Sequence, residues 1–124
     1  MPDLGTIYNV TPVGTAGTLT SGNAYATITL SPGIYITSFS FVFNCTGTFV
    51  GSYTKINRTA GTATLPETDM VFAGSPSDST SFIIHGAFFI RVTVTATLTA
   101  LVYFSGVTGV TSGLGNFWQA IRIG

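Results

Sequence analysis

The chain contains a single cysteine and a single histidine, Cys45 and His85. A thiol beside an imidazole can act as an activated nucleophile, so the pair could in principle support catalysis. The alternative is structural, because Cys45 follows an aromatic-rich segment as a small, semi-buried residue and His85 ends a strand in "IIHG". We expect the structural role, and the sequence predicts no catalytic residue.

Three of the four acidic residues, Glu67, Asp69 and Asp78, lie in one irregular stretch. Two carboxylates about 5 to 10 Å apart across a groove could hydrolyse a glycosidic bond. No aromatic platform accompanies these residues, however, so the stretch favours solvated loop positions. The sequence also lacks clustered metal ligands. We expect no metal and no cofactor.

The segment "GSYTKINRT" brings together an aromatic ring, two cations and an amide, from Tyr53, Lys55, Asn57 and Arg58. Sugar-binding sites often combine an aromatic face with amide and cationic donors, so these four residues form the candidate binding site. Because Tyr53 and Lys55 share a strand parity, the same residues could instead form one solvated strand face.

Arg91 and Arg122 are lone cations in otherwise apolar segments. A buried arginine needs a partner, which could be Asp69, Asp78 or the chain terminus of a neighbouring subunit. The alternative is an arginine whose charged end reaches solvent at the rim of a sheet.

The low charge of the chain indicates an oligomer. Charged residues make up 6% of the sequence, the formal net charge is zero, and the mean hydropathy is +0.52. An ordinary soluble surface is roughly a quarter or more charged. Part of the uncharged surface is therefore expected to be buried between subunits, unless hydroxyl and amide groups alone keep a monomer in solution. Four basic residues argue against a nucleic-acid interface or a polybasic membrane surface.

The length of 124 residues predicts one domain, 1–124. No apolar run approaches the roughly 20 residues of a membrane-spanning helix, so we expect no membrane insertion. The start "MPDLGTIYNV" lacks the basic and apolar parts of a signal peptide. Either the protein is not exported by that route, or the chain is a piece of a longer one. The lone Cys45 excludes an internal disulfide.

Alternation of apolar and polar residues predicts an all-β fold. The predicted strands are Thr6–Thr11, Ala24–Leu30, Ile34–Phe43, Thr48–Ile56, Asp69–Ala73, Ser81–Ile84, Ala87–Thr95, Thr97–Phe104 and Phe117–Ile123. A tight turn is expected at Thr95–Thr97, because an unbroken strand there would exceed the ordinary length. Short strands at this spacing predict a sandwich or a barrel.

The segment "SPGIYITSFSFVF" has an unusual distribution of apolar residues. Tyr35, Phe39, Phe41 and Phe43 share one parity and are predicted to fill the interior. The other parity has two serines between apolar residues. It is predicted to be a surface against which a neighbouring strand, loop or subunit lies closely.

Three segments in order resemble one superfamily. "GNAYATITLSPGIYITSFSF" resembles the G-x-F/Y…P-G-x-Y-x-F pattern of complement-C1q-like domains, and "GAFFIRVTVTATLTALVYFSG" looks like their two long consecutive strands. "GNFWQAIRIG" is similar to the closing strand of C1q-like and tumour-necrosis-factor-like jelly rolls. It is most similar to the endings of trimeric fibre-head domains of viruses and phages. The chain lacks the Phe and Pro of the animal pattern, a collagen-like segment and enough acids for a calcium site, so the resemblance favours the viral or phage branch.

The resemblance implies an antiparallel, two-sheet jelly-roll sandwich that assembles as a compact homotrimer. In such trimers, one sheet faces the threefold axis. Aromatic and aliphatic side chains from the later strands and the closing strand fill the axis. The interface candidates are then Leu101, Tyr103, Phe117, Trp118 and Ile121. The alternative is that these residues are ordinary core. Since Trp118 and Ile121 differ in parity, at least one of them must be core.

The resemblance also implies a location on the virion surface and a function there. The chain would be the head of a fibre or spike, either by itself or as the C-terminal part of a longer protein, and would attach to a glycan or protein receptor on the host. Three weak sites per trimer would act by multivalent binding. The alternative is a structural capsid or appendage component, such as a protrusion or cement protein, with other virion proteins as its partners and no ligand of its own.

Overall fold

A computed structural model describes residues 4–10, 18–64 and 70–124 of the chain. The described residues form six strands: β1 (Ile7–Val10), β2 (Asn23–Leu30), β3 (Gly33–Thr64), β4 (Met70–Asp78), β5 (Ser81–Ser112) and β6 (Phe117–Arg122). No helix occurs in these three ranges, and none there could therefore span a membrane.

All six strands belong to one antiparallel sheet. Their order is β1-β6-β3-β4-β5-β2, with a further direct pairing between β3 and β5. The predicted all-β antiparallel class is confirmed. The sheet curves so strongly that β1 comes close to β2. The two-sheet jelly-roll form and the trimer stay predictions.

Strands β3 and β5 are each 32 residues long, which corrects the strand bounds expected from the sequence. The predicted strands Ile34–Phe43 and Thr48–Ile56 are both parts of β3. The predicted tight turn at Thr95–Thr97 is wrong, because β5 continues through these residues and pairs with β2 and with β3. A strand can exceed the usual length here because it hydrogen-bonds to different neighbours along its course.

Both long strands bend at glycines. Gly47 has a φ of 93° and Gly106 a φ of 83°, in the left-handed region that favours glycine. The pairing of β3 with β5 shifts register between Gly47 and Gly51. Register shifts of this kind bend a strand, so β3 and β5 turn a corner at these positions.

The corner divides the sheet into two arrays of strand segments. The β1 array consists of β1, β6, residues 33–44 of β3, residues 81–92 of β5 and residues 74–78 of β4. The β2 array consists of β2, residues 96–105 of β5, residues 51–64 of β3 and residues 70–73 of β4. Because side chains alternate along a strand, each array has an inner face and an outer face.

The interior between the arrays is rich in aromatic rings. The predicted interior parity of "SPGIYITSFSFVF" is confirmed, since Tyr35, Phe39, Phe41 and Phe43 are all buried. Tyr25 of β2 packs edge-to-face on Phe41 and Phe43, with ring centroids 5.1 and 4.9 Å apart. Ring pairs of this geometry stabilise beyond the area that they bury, so Tyr25 ties the β2 array to the β1 array.

Asn116 anchors the connection between β5 and β6. Its Nδ2 donates to the hydroxyl oxygens of Tyr25 at 2.6 Å and Ser112 at 2.8 Å, and its Oδ1 accepts the amide hydrogen of Val42. The hydroxyls of Tyr25 and Ser112 also bond to each other. Burial raises the pKa of Tyr25, and the two side-chain bonds to Ser112 and Asn116 partly oppose this rise.

Asn116→Ala is expected to lower the free energy of unfolding by about 1–3 kcal/mol, the cost of leaving buried polar groups unpaired. The amide of Val42 loses its acceptor, and the hydroxyls of Tyr25 and Ser112 keep only the bond to each other. Urea unfolding measures the change. Asn44→Ala is the matched control because Asn44 is exposed, and it should change stability by less than about 0.5 kcal/mol. Equal effects of the two variants would contradict the anchoring role.

Candidate functional site

The outer face of the β2 array holds five of the candidate residues that the sequence singled out. Cross-strand pairs of β3 and β5 follow one another along it: Gly51 with Ser105, Tyr53 with Tyr103, Lys55 with Leu101 and Asn57 with Thr99. Alternate residues of a strand share a face. Three of the binding candidates and two of the interface candidates therefore lie on the same surface.

Tyr53 and Tyr103 form a stacked pair. Their ring centroids are 4.6 Å apart and their planes are 11° from parallel. Tyr53 is 40% exposed, and Tyr103 is half-buried. Gly22 lies against Tyr103, since a Cβ at this glycine would come within 3.3 Å of Cε1 of the ring. Tyr103 therefore lies between the Tyr53 ring and Gly22.

A cavity of about 450 Å³ opens beside this pair, and we name it the tyrosine cleft. Its described lining consists of Ser21, Gly51, Ser52, Tyr53, Tyr103, Phe104 and Ser105. The volume lies within the range of roughly 300–1,000 Å³ typical of ligand pockets. None of the described lining residues carries a charge, so the cleft offers hydroxyl and backbone groups beside aromatic carbon.

The tyrosine cleft forms because a pair of small residues lies next to the pair of large tyrosine rings. Gly51 and Ser105 are cross-strand partners next to the tyrosine pair. Nothing lies within 4 Å of the position that a Cβ of Gly51 would occupy. Ser21 contributes a further wall, where its Oγ accepts the amide hydrogen of Phe104 at 3.0 Å.

The other binding candidates lie away from the cleft. Lys55 is on the far side of the tyrosine pair, about 13 Å along β3 from Gly51. Asn57 lies further along, and its Oδ1 is buried with no hydrogen-bond partner among the described residues. Arg58 has the opposite parity, and its guanidinium donates to the carbonyl of Gly61. The four candidates therefore do not form one convergent site.

A row of apolar side chains crosses the outer face of the β1 array, which also carries His85 and Arg91. Ile7, Ile121, Ile36 and Phe89 are successive cross-strand neighbours on four adjacent strands. Phe89 is 59% exposed and Ile7 is 54% exposed. The apolar face, as we name it, consists of Ile7, Ile34, Ile36, Phe89, Phe117, Ile121 and Ile123. It includes Ile34 and Ile36, which belong to the second parity of "SPGIYITSFSFVF". The neighbour of that parity could not be assigned from the sequence.

The five interface candidates lie in three different environments. Phe117 and Ile121 belong to the apolar face, whereas Leu101 and Tyr103 lie on the outer face of the β2 array. Trp118 has no exposed surface in the single chain. Its ring lies among interior aromatic rings, with centroids 6.4 Å from Phe39 and 6.3 Å from Phe41.

Cys45 and His85 are not brought together. Cys45 is buried, whereas His85 is exposed on the outer face. The strand partner of His85 is Ser40, about 16 Å along β3 from Cys45. Burial raises the pKa of the Cys45 thiol, and the negative charge of Asp78 raises it further. The cysteine is therefore protonated at neutral pH, and a thiol is a poor nucleophile.

Among the candidate acids, Glu67 and Asp69 lie outside the described residues, and Asp78 is exposed. Asp78 Oδ1 accepts the backbone amide hydrogen of Thr80 at 2.8 Å and the hydroxyl hydrogens of Thr80 and Ser81. These bonds hold the pKa of Asp78 below its usual value. Within the described ranges, no three potential metal-ligating side chains come together.

The two arginines that the sequence treated together differ in burial. Arg91 is exposed opposite Ile34 on β3, as expected of an arginine that reaches solvent. Arg122 is buried, and it lies against Gly33, where a Cβ would come within 2.6 Å of Nε. Burial and the neighbouring Tyr8 raise the pKa of Tyr35 to about 12, although the charge of Arg122 opposes this rise.

Comparison with protein-family models and with curated proteins found no match to this chain. Three residues of the two outer faces, Gly51, Ser105 and Phe89, were not predicted from the sequence. The alternation in "FFIRV" could have indicated an outward Phe89, but the pairing of Gly51 with Ser105 depends on the register between β3 and β5.

Proposed function

We propose that this chain is the head domain of a viral or phage fibre or spike, that it forms a homotrimer on the virion surface, and that it attaches to a host glycan or protein. The observation that supports this proposal is the division of the outer surface into two unlike faces. The apolar face suits assembly with copies of the same chain. The outer face of the β2 array, with its tyrosine cleft, stays available for a ligand.

The strand pairing supports the jelly-roll part of the proposal. With β3, β4 and β5 each counted as two segments, the β1 array contains five strand segments and the β2 array contains four. A jelly roll consists of eight strands in two sheets that are linked by Greek-key connections. Neighbours such as β1 and β6, or β2 and β5, are far apart in sequence, as such connections require.

The exposure of the apolar face supports assembly. Phe89, Ile7 and Ile123 on this face are 59%, 54% and 44% exposed in the single chain. Clustered exposed apolar side chains mark sites of protein interaction, above all on a domain with so few charges. Phe117 and Ile121, two of the interface candidates, are part of this face. We therefore assign the trimer contact to this face, and the other face remains free for attachment.

The oligomeric state tests the assembly part directly. Light scattering at micromolar concentration should give about three times the single-chain mass of 12.9 kDa. A mass near that of a single chain would contradict the trimer. It would also contradict the assignment of the trimer contact to the apolar face.

Phe89→Lys is expected to convert the trimer into single chains, because it places one charge per subunit in the covered apolar face. Circular dichroism should remain unchanged, because Phe89 is 59% exposed in the single chain. The matched control is Val94→Lys on the same strand, at a residue that is 56% exposed and outside the apolar face. A mass that falls equally in both variants would show that added charge alone dissociates the protein.

Attachment is tested separately, by binding of the purified protein to a glycan array and to host cells. Binding to either supports the attachment function. A trimer that binds no host-derived material would instead favour the structural role, a capsid protrusion or cement protein without a ligand of its own.

A further inference from the structure

We propose that the tyrosine cleft binds a neutral sugar residue, and that the basic residues Lys55 and Arg58 take no part in this binding. The inference rests on the proposed attachment function and identifies the ligand class and the place where it binds. It follows from the composition, shape and register of the cleft.

The aromatic wall of the cleft suits the apolar face of a sugar ring. The C–H groups on one side of a pyranose ring pack on aromatic carbon, and polar groups around the edge fix the orientation of the ring. Because Tyr103 covers one face of the Tyr53 ring, with centroids 4.6 Å apart, the exposed part of Tyr53 provides this wall without rearrangement. A preformed wall lowers the ordering cost of binding a weak ligand.

The polar groups of the cleft suit hydroxyls. Ser21 and Ser105 line it on the side of β5. Because Ser21 Oγ accepts the amide hydrogen of Phe104, its own hydrogen is directed elsewhere and can be donated to a ligand oxygen. Serine hydroxyls both donate and accept hydrogen bonds, as sugar hydroxyls do. Each serine can therefore be the donor or the acceptor toward a ligand hydroxyl.

The charge of the cleft favours a neutral ligand. The described lining contains no acidic or basic residue. The nearest basic candidate along β3, Lys55, is separated from Gly51 by the tyrosine pair. Arg58 already donates to the carbonyl of Gly61. An acidic sugar would lose the hydration of its carboxylate in the cleft without gaining a cationic partner.

The experiment fills the cleft and leaves its polar groups in place. Gly51→Leu puts a side chain into space where nothing lies within 4 Å, and Gly51 does not have a positive φ. The matched control is Thr27→Leu, which adds the same side chain at an exposed position on β2, opposite Thr99. Lys55→Ala tests the role of the basic residue. Saturation-transfer NMR with methyl glycosides of galactose, glucose and mannose, and with N-acetylneuraminic acid, measures binding to each protein.

The expected result is binding of at least one neutral glycoside, weakened at least tenfold in Gly51→Leu and changed less than about twofold in Thr27→Leu and Lys55→Ala. Binding of N-acetylneuraminic acid alone, or neutral binding that persists in Gly51→Leu, would overturn the inference. If no sugar binds but host cells are still bound, the inference fails and attachment to a protein receptor stands. If neither sugars nor cells are bound, the inference and the attachment function fail together.

Discussion

Trp118→Ala is expected to lower the free energy of unfolding by about 3–5 kcal/mol, the usual cost of removing a fully buried large aromatic side chain. Trp118 has no exposed surface and packs on Phe39 and Phe41. It lies on β6, between β1 and β3, so its loss leaves a cavity under the middle of the β1 array. Urea unfolding at one fixed protein concentration measures the change, because the stability of an oligomer depends on concentration.

Two further variants separate the packing effect from other causes. Leu114→Ala removes a side chain that is 95% exposed in the preceding loop, and it should change stability by less than about 0.5 kcal/mol. Trp118→Phe should cost less than Trp118→Ala, because it keeps a ring. It also removes an indole N–H that has no hydrogen-bond partner among the described residues. A loss below about 1 kcal/mol in Trp118→Ala would contradict an interior position, because it is far below the usual cost.

The interior was the most predictable part of the fold, because burial follows directly from alternation. Residues Tyr35, Phe39, Phe41 and Phe43 alternate with smaller side chains, and a strand with one such parity must bury it. The all-β class followed from the same alternation along most of the chain. Neither inference required knowledge of which strands are neighbours.

The extent of the long strands could not be predicted, because a bend inside a strand resembles a turn between two strands. "CTG" before Thr48 reads as a turn, yet Gly47 only bends β3. The same difficulty produced the incorrect turn at Thr95–Thr97. Whether a glycine ends a strand or bends it is decided by hydrogen bonds to distant segments, and these bonds are not local in sequence.

The candidate site was predictable only in its aromatic part. Tyr53 was identified because an aromatic ring beside amide and cationic side chains is typical of a sugar-binding site. Its partner Tyr103 and the gap at Gly51 come from the register of β3 with β5, about 50 residues away in sequence. The proximity of Lys55, Asn57 and Arg58 in sequence suggested one cluster, but strand geometry spreads consecutive residues over two faces and along more than 10 Å.

The two outer faces differ through their cross-strand neighbours rather than through any one strand. Ile36 is flanked by Ile121 and Phe89, whereas Lys55 is flanked by Leu101 and Val71. Apolar residues therefore form a continuous row in the β1 array and an interrupted one in the β2 array. A continuous apolar row favours protein assembly, and an interrupted row leaves polar groups available for ligands.

Gly106→Ala is expected to lower the free energy of unfolding by about 2–5 kcal/mol, through a strained φ and steric overlap. Gly106 has a φ of 83°, where an L side chain costs about 1–2 kcal/mol. A Cβ there would also overlap the carbonyl oxygen of Thr48 and side-chain atoms of Val50. Since Thr48 and Val50 lie at the bend of β3, the overlap would force the two long strands apart at their corner.

Gly115→Ala is the control that separates the cost of steric overlap from the cost of the strained φ. Gly115 also has a φ of 83°, but nothing lies within 4 Å of the position of its Cβ. Urea unfolding should therefore show Gly106→Ala to be less stable than Gly115→Ala by about 1–3 kcal/mol, the usual cost of overpacking. Because Ser105 adjoins Gly106 and lines the tyrosine cleft, Gly106→Ala should also weaken sugar binding, whereas Gly115→Ala should not. Equal stability of the two variants would mean that the corner between the arrays is less tightly packed at Gly106 than its contacts with β3 indicate.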